Sequence, residues 1–530
     1  MRSVRGLPET SAQLLAVILF LGCLIIGFFV PIYTDEIQWK VFGSRLFIDD
    51  FKLIYGFPVC SEGFLMRPPW SWWPARIWDS VLYADMSNLI KHRISGLMGM
   101  ALLIYLGQMY LRRVNRQDRL GNLSFTISLL SAGVLPLLMV LNRPEQSLLL
   151  FVMSLGLLQA IFGSNENRKP YQDTILLITL SLLSCLVLAN HPKGVIFLLP
   201  SIVTGLLLIK DWKKITIFLI FLIGSSWETI HFWTVRTTCK ESPWLTGVLQ
   251  SLNLKPALLL SNPIQFFRDG YSNLSRFDEY FVNSKFALSY QGNWLSDSLS
   301  EIGKVALIAN KWIIFPAGVS VFLIIIGFSS ILRFQQNYRW LLQSLSILIS
   351  TVLVISLQTN KNFYESGLIL PLIFILTIFI YGRKLSDKNP RWLRMIILLL
   401  MINSCLQSYA LLYELGTRTV IGWVINQEVV TARSKTYEVL AGKCNLSLES
   451  PPPSIILDEA TYKSLWKSKT PMFAHSVFGW WATNTKYSEI LEARKPSFLF
   501  IDRCYILPDE LSIRAQRYKN ACCLNFGQTN

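Results

Sequence analysis

The chain has 530 residues, of which 52% are hydrophobic and 16% are charged, and its mean hydropathy is +0.41. Soluble proteins carry about a quarter charged residues, so this composition excludes ordinary soluble, disordered and collagen-like proteins. Lys and Arg outnumber Asp and Glu by 50 to 33, which gives a net charge of +17. Such an excess is found in nucleic-acid-binding proteins, but also in membrane proteins, whose cytoplasmic loops collect positive charge.

Long apolar segments recur along most of the chain. A transmembrane helix needs about 20 apolar residues, and the segments that approach this length are 12–33, 93–111, 122–141, 146–163, 172–190, 194–209, 213–235, 312–333, 340–358, 364–382 and 392–415. The first segment follows two arginines like a signal peptide, but its core is too long and no small-residue cleavage site follows it. We therefore expect eleven transmembrane helices, with the first retained as an anchor.

Positive charge is divided unevenly between the two sets of short loops. If the N-terminus is cytoplasmic, most cations of these loops are cytoplasmic too, namely Arg112, Arg113, Arg116, Arg119, Arg168, Lys169, Lys210, Lys213, Lys214, Arg339, Arg383, Lys384, Lys388 and Arg391. The short outer loops hold only Arg143, Lys193 and Lys361. This asymmetry predicts a multi-pass protein of the plasma (inner) membrane, or of the endoplasmic reticulum membrane in a eukaryote, with a cytoplasmic N-terminus. Nucleic-acid binding has no other support.

The longer hydrophilic pieces are all expected on the outer face. A transmembrane domain is predicted over 1–415, with outer loops at 34–92 and 236–311, and an extracytoplasmic domain over 416–530. The tail has the short apolar runs of a small α/β domain. The predicted fold class is a polytopic α-helical membrane protein with a small α/β C-terminal domain.

Strands are predicted in the tail at 451–458, 497–502 and 520–526, and a helix is predicted at 460–467. Oxidation is expected on the outer face, so we predict a disulfide that joins Cys444 or Cys504 to Cys522 or Cys523. The sequence leaves the pairing open. The cysteine spacings do not suggest zinc, and we expect no metal site.

Polar residues gather where the predicted spans reach the outer face. Five places stand out: Asp35-Glu36, Arg67 in RPPWSWW (67–73), Arg143 with Glu145, His191 with Lys193, and Lys361 with Tyr364. Ionisable residues near the membrane are costly and favour a functional interpretation. A single charged turn is also typical of a solvated helix connection, and tryptophans commonly lie at a membrane interface. The set therefore indicates a site, whereas no single member does.

The chemistry of this set suits transfer from a lipid phosphate. A carboxylate beside the bilayer can act as a general base, which accepts a proton from an attacking nucleophile. Cations on the same surface can neutralise a phosphate leaving group. Together they fit a donor whose phosphate lies at headgroup level while its lipid tail stays in the membrane.

The order of these motifs resembles the GT-C glycosyltransferases, in the branch that contains the protein O-mannosyltransferases and the lipid A aminoarabinose transferase. The resemblance is carried by an acidic pair, a cation before Pro-Pro, an Arg-Pro-acidic turn and a Lys-Gly turn: Asp35-Glu36, Arg67-Pro68-Pro69 with Trp70, Trp72 and Trp73, Arg143-Pro144-Glu145, and Lys193-Gly194. It covers about residues 12–200 well and the rest of the chain loosely.

The resemblance implies an inverting, metal-independent glycosyltransferase that moves a sugar from a polyprenyl-phosphate donor to an acceptor hydroxyl on the outer face, with no cofactor. It makes Asp35 the general base, Glu36 its supporting residue and Glu145 a second acid in the cavity. Arg67 and Lys193 would hold the lipid phosphate.

The remaining roles follow the resemblance less closely. Lys361 would add a phosphate contact, while the cavity or its membrane interface would be lined by Trp70, Trp72, Trp73, Arg143, His191 and Tyr364. The family usually has Lys where Arg67 stands, and its late motif places Tyr close to LPL, whereas Tyr364 lies well before LPL at 370–372.

Two alternatives stay open. One is another lipid-carrier enzyme, such as an oligosaccharide transferase or a polysaccharide ligase or polymerase. The other is a polytopic transporter, which would place ionisable residues near the bilayer midplane; Glu228 and His231 come nearest to that pattern.

The sequence does not determine the sugar. It also leaves open whether the acceptor is a glycolipid, a protein or a polysaccharide. Asn273 and Asn445 begin glycosylation triplets that matter only in a eukaryotic host.

Overall fold

A computed structural model describes the chain over defined ranges. These are 7–29, 89–115, 146–163, 168–190, 193–237, 254–276, 301–309, 338–359, 433–450, 495–501, 507–519 and 521–528, with isolated residues or short runs within 123–127, 372–413 and 452–474 and at 312 and 504. The predicted span at 312–333 therefore lies outside the described residues except for Trp312, and those at 122–141, 364–382 and 392–415 are described only at scattered positions.

Long apolar helices account for most of the first part of the chain. They are α1 (Leu7–Phe29), α2 (Leu89–Asn115), α3 (Gln146–Phe162), α4 (Pro170–Asn190), α5 (Gly194–Leu208) and α6 (Trp212–Thr237). Three shorter helices follow within the predicted outer loop, α7 (Pro256–Ser261), α8 (Pro263–Ser275) and α9 (Glu301–Ala309), before α10 (Tyr338–Leu357). Each of the long helices coincides with a predicted span to within a few residues at each end.

Two helices among the described residues are long and apolar enough to cross a membrane. They are the Pro170–Leu188 part of α4 and the whole of α10. Shorter apolar stretches occur at Gln13–Ile25, Ser147–Phe162 and Gly194–Leu208. The predicted number of eleven spans is not tested by these residues.

Polar side chains join the helices across the apolar core. The side-chain amide of Gln343 in α10 donates to the carbonyl of Leu155 in α3 at 2.8 Å and to Oγ1 of Thr204 in α5 at 2.9 Å. Ser350 donates to the Ile196 carbonyl at 2.9 Å. Such bonds hold neighbouring helices together where water is excluded, so α3, α5 and α10 form one packed unit.

A buried ion pair closes the end of this unit where α4 and α10 begin. Arg168 Nη1 lies 3.6 Å from Asp173 Oδ1, and the same guanidinium donates to the carbonyl of Leu208, the last residue of α5. Burial lowers the pKa of Arg168, while Asp173 acts in the opposite direction. Arg339 donates to the Gly163 carbonyl at 3.4 Å. The cations of two connections, Arg168 and Arg339, therefore lie at one end of the helices.

The tail folds around a five-stranded sheet. Its elements are α11 (Arg433–Lys443), β1 (Ile455–Leu457), β2 (Phe473–Ala474), β3 (Phe498–Ile501), α12 (Asp509–Arg514), β4 (Gln516–Tyr518) and β5 (Ala521–Asn525). The strand order is β2-β1-β3-β5-β4, with parallel pairing on the β1 side of β3 and antiparallel pairing on the β5 side. The predicted strands at 451–458, 497–502 and 520–526 are found within those ranges. The strands β2 and β4 were not predicted, and the boundary at 415/416 lies outside the described residues.

Two disulfides fix the tail. Cys444 pairs with Cys523, and Cys504 pairs with Cys522. Consecutive residues of a strand point to opposite faces, so the side chains of Cys522 and Cys523 in β5 lie on opposite faces of the sheet. The face of Cys523 is the one that α11 covers, because Phe500, which pairs with Cys523 across the strands, lies 6.0 Å from the Tyr437 ring of α11.

Candidate functional site

Lys193 is the residue of the predicted site that falls within the described part of the chain, and it lies in the turn between α4 and α5. Its carbonyl accepts hydrogen bonds from the backbone amides of Ile196 at 3.0 Å and Phe197 at 3.4 Å, which starts α5. Gly194 follows it. A Cβ on Gly194 would lie 2.1 Å from the carbonyl oxygen of Val187 in α4. The glycine is thus required because the two helices approach each other too closely for any side chain.

The side chain of Lys193 is buried. It is 9% exposed, and its Nζ donates to the amide oxygen of Gln358 at 3.4 Å. Gln358 is itself 3% exposed and follows the last residue of α10 directly. An amide oxygen satisfies a hydrogen-bond donor but carries no net charge, so it does not cancel the charge of the ammonium group. Burying an ammonium group is costly unless charge or several dipoles compensate it.

This contact joins two of the predicted outer turns. The turn of Lys193 connects α4 and α5, whereas Gln358 begins the segment QTNKNFY that contains Lys361 and Tyr364. The two residues in contact are separated by 165 positions in sequence. The end of α10 and the start of α5 therefore meet at the end of the helices opposite to Arg168.

A second group of contacts lies on the last turn of α10. The side-chain amide of Asn273 in α8 donates to the Ser356 carbonyl at 3.0 Å, and the backbone amide of Leu254 donates to the Leu357 carbonyl at 2.8 Å. The segment 254–276 therefore lies against the residues that precede Gln358. Asn273 is 2% exposed, so its side-chain amide is used in packing between α8 and α10.

The other predicted site residues lie outside the described residues. They are Asp35, Glu36, Arg67, Trp70, Trp72, Trp73, Arg143, Glu145, His191, Lys361 and Tyr364. Their roles stay predictions. Within the described ranges, no group of three or more His, Cys, Asp or Glu side chains is placed to hold a metal ion.

Two buried polar residues among those described were not predicted. Gln358 follows an apolar run, as polar residues commonly do at the end of a helix, so the sequence alone does not single it out as a site residue. Its contact with Lys193 does. Arg93 is fully buried within the first two turns of α2. In the sequence KHR it looks like an ordinary interfacial cation, and nothing in that pattern indicates its complete burial.

Comparisons with known proteins give fold neighbours only. Two crystal structures of ArnT from Cupriavidus metallidurans, one bound to undecaprenyl phosphate and one in the apo state, each cover 96% of this chain and 97% of their own, with 11% sequence identity and TM-scores of 0.45 and 0.43. No family model and no curated protein matches the chain. ArnT is the lipid A aminoarabinose transferase, a GT-C enzyme. At this identity and score the likeness carries no argument about substrate or reaction.

Proposed function

We propose that this chain is an integral-membrane glycosyltransferase that moves a sugar from a polyprenyl-phosphate donor to an acceptor hydroxyl. The observation that carries the proposal is the buried contact between Lys193 and Gln358. It joins the Lys-Gly turn to the end of α10, and Lys361 follows Gln358 by three residues, which reach at most about 11 Å. We infer that Lys193 and Lys361, both chosen for a phosphate from sequence alone, act on the same phosphate.

The cations have a clear role in this reaction. The donor is a phosphodiester, and when its bond to the sugar breaks the polyprenyl phosphate gains negative charge. An ammonium group held out of water interacts with such a charge more strongly than a solvated one. Lys193, with Arg67 and Lys361, would neutralise the departing phosphate, so the proposed reaction proceeds without a metal ion.

The carboxylates would handle the proton. The acceptor hydroxyl attacks the anomeric carbon from the side opposite to the phosphate, and Asp35 takes its proton as general base. The new carbon–oxygen bond forms as the old one breaks, so the configuration inverts. Glu36 would orient Asp35, and Glu145 would lie in the same cavity as a second acid.

The distribution of charge supports the membrane placement. The ion pair of Arg168 and the contact of Arg339 lie at one end of α4, α5 and α10, and Lys193 lies at the other end. A cation-rich end is typical of the cytoplasmic side. The proposal therefore keeps eleven spans, a cytoplasmic N-terminus and an outward-facing tail as its topology.

A transporter finds less support among the described residues. His231 is exposed on α6, which does not suit a proton relay, and Glu228 lies within the last three turns of the same helix. Transporters place such groups near the midplane and bury them. Other lipid-carrier enzymes use the same donor chemistry as a GT-C transferase. Identifying the acceptor distinguishes them from the proposed function.

The first test is transfer by the purified full-length chain in detergent or in vesicles. A panel of polyprenyl-phosphate sugars is offered with membrane extract as the source of acceptors. We expect transfer from one donor, and we expect Asp35→Asn to abolish it while donor binding persists, because the amide cannot accept the proton. Full turnover by Asp35→Asn would contradict the assignment of the base.

The second test concerns the phosphate. Lys193→Gln removes the charge and keeps a polar side chain of similar reach, so donor KM should rise about 10- to 100-fold, the equivalent of a charge-assisted hydrogen bond of about 1.5–3 kcal/mol. Lys213→Gln is the matched control, because Lys213 is exposed and begins α6 at the opposite end of the helices. Equal donor KM for both variants would contradict the role of Lys193.

A further inference from the structure

The segment 254–276 carries an exposed apolar stripe. The helices α7 and α8 meet at Asn262, whose side chain accepts a hydrogen bond from the Gln265 amide at 3.1 Å and so caps α8. Along α8, Ile264, Phe267 and Tyr271 recur at helical spacing and are 81%, 67% and 73% exposed. Because residues three and four apart share one face of a helix, these three side chains form a single stripe, which we call the α8 stripe.

The opposite face of α8 is fixed to the end of α10. Asn273 and Gly270 are the buried residues of the helix, and Asn273 donates to the Ser356 carbonyl. At the other end of the segment, Leu254 donates to the Leu357 carbonyl. Both bonds reach the last turn of a helix that is long and apolar enough to span a bilayer. The α8 stripe is therefore held at the level where that helix would leave the membrane.

Exposed cations accompany the stripe. They are Lys255 before α7, Arg268 beside the stripe on α8 and Arg276 after α8. The acidic residue of α8, Asp269, is held by a 2.7 Å hydrogen bond from the Gln265 side chain. A helix with one apolar face and flanking basic residues is the pattern of segments that lie in a membrane interface, where the apolar face enters the acyl boundary and the cations meet phosphate groups. Exposed apolar side chains also occur on α10, the helix that α8 contacts, at Val352 and Leu353.

We propose that the α8 stripe docks into an anionic lipid surface at the outer end of α10. The inference rests on the membrane placement of the proposed function and adds a lipid contact to it. The same segment holds the carbonyls of Ser356 and Leu357, the two residues before Gln358. Lipid docking of α8 thus fixes the part of the chain that meets Lys193, and the lipid surface becomes part of the support of the donor site.

The experiment places a fluorescent label on α8 of the full-length chain in lipid nanodiscs that hold one copy each. Phe267→Cys carries a nitrobenzoxadiazole label on the stripe. Ser272→Cys is the matched control, because it is exposed and lies about 100° around the helix from Tyr271. The parent chain is labelled in parallel to measure the background from native cysteines. Quenching is measured with iodide in water and with lipids brominated in their acyl chains.

We expect the label at 267 to be quenched several-fold more by brominated lipid, and several-fold less by iodide, than the label at 272. Equal iodide quenching at both positions would overturn the proposal. So would a label at 267 that is shielded from both quenchers, since a protein would then cover the stripe. Discs with phosphatidylglycerol should protect the label at 267 more than discs of phosphatidylcholine alone, and equal protection would overturn the anionic preference.

Failure of the proposed function would look different. A chain that does not enter nanodiscs contradicts the membrane placement before any label is read. A chain that enters them and transfers sugar, but whose position 267 faces water, overturns the lipid docking alone.

Discussion

At the scale of single residues, the site depends on a glycine as much as on the lysine beside it. Gly194 allows α5 to begin directly against the end of α4, and this close approach carries Lys193 to Gln358. The resemblance of the sequence to GT-C enzymes singles out the Lys-Gly pair as a motif. A Cβ at Gly194 would lie 2.1 Å from the carbonyl oxygen of Val187, which gives the glycine of this pair a physical reason.

Gly194→Ala should therefore damage both stability and donor binding. The added methyl group meets a backbone carbonyl, which cannot move aside as a flexible side chain would, and overpacking of this kind costs about 1–3 kcal/mol. Thermal unfolding in detergent and donor KM measure the two effects.

Gly224→Ala is the matched control for this substitution. Gly224 lies within α6, and a Cβ there meets nothing within 4 Å. Alanine is favoured over glycine inside a helix by about 0.5–1 kcal/mol, so this variant should unfold at the same temperature or slightly higher. Equal behaviour of the two variants would show that α5 does not approach α4 as described.

At the scale of elements, the ion pair of Arg168 and Asp173 lies at the end of the helices away from the site. Both side chains are almost fully buried, and Asp173 also accepts a hydrogen bond from the backbone amide of Lys210 at 3.2 Å. Asp173→Asn keeps the shape but leaves the guanidinium without its carboxylate, a change that costs about 3–5 kcal/mol for a buried pair.

The measurement is the midpoint of thermal unfolding, compared with that of Asp211→Asn. Asp211 accepts a hydrogen bond from the Lys213 amide at 3.0 Å where α6 begins, and asparagine caps a helix as well as aspartate does. We expect a clearly lower midpoint for Asp173→Asn alone. Identical midpoints would mean that the pair does not hold α4 and α5 together.

The long helices were predictable because length and hydropathy alone determine a span. The range 194–209 became Gly194–Leu208, and 340–358 became Tyr338–Leu357. The contact of Lys193 with Gln358 was not predictable, because it joins residues far apart in sequence and no local pattern encodes it. The strand β4 was missed for a different reason: QRY is polar and lies at a sheet edge, so it lacks the apolar alternation that marks a strand.

At the scale of the whole molecule, two independent features concern the orientation of the chain. One is the gathering of Arg168 and Arg339 at one end of the helices, with Lys193 at the other. The other is oxidation of the tail, where one disulfide joins the residue after α11 to β5 and a second joins the segment after β3 to β5. The sequence predicted one disulfide, from Cys444 or Cys504 to Cys522 or Cys523, and left the pairing open; the structure has two. Alternation of side chains along β5 resolves it, because only Cys523 shares a face with α11.

Disulfide mapping tests this orientation directly. Proteolysis of the alkylated, unreduced full-length chain and mass spectrometry should find the peptide of Cys444 linked to that of Cys523, and Cys504 linked to Cys522. Since Cys522 and Cys523 are adjacent, fragmentation within the linked peptides is needed to assign each bond. Disulfides form in oxidising compartments and are rare in the cytosol. Alkylation of all four thiols without prior reduction would contradict both the pairing and an outward-facing tail, whereas Cys23, Cys185 and Cys405, which are free and buried, should be alkylated only after unfolding.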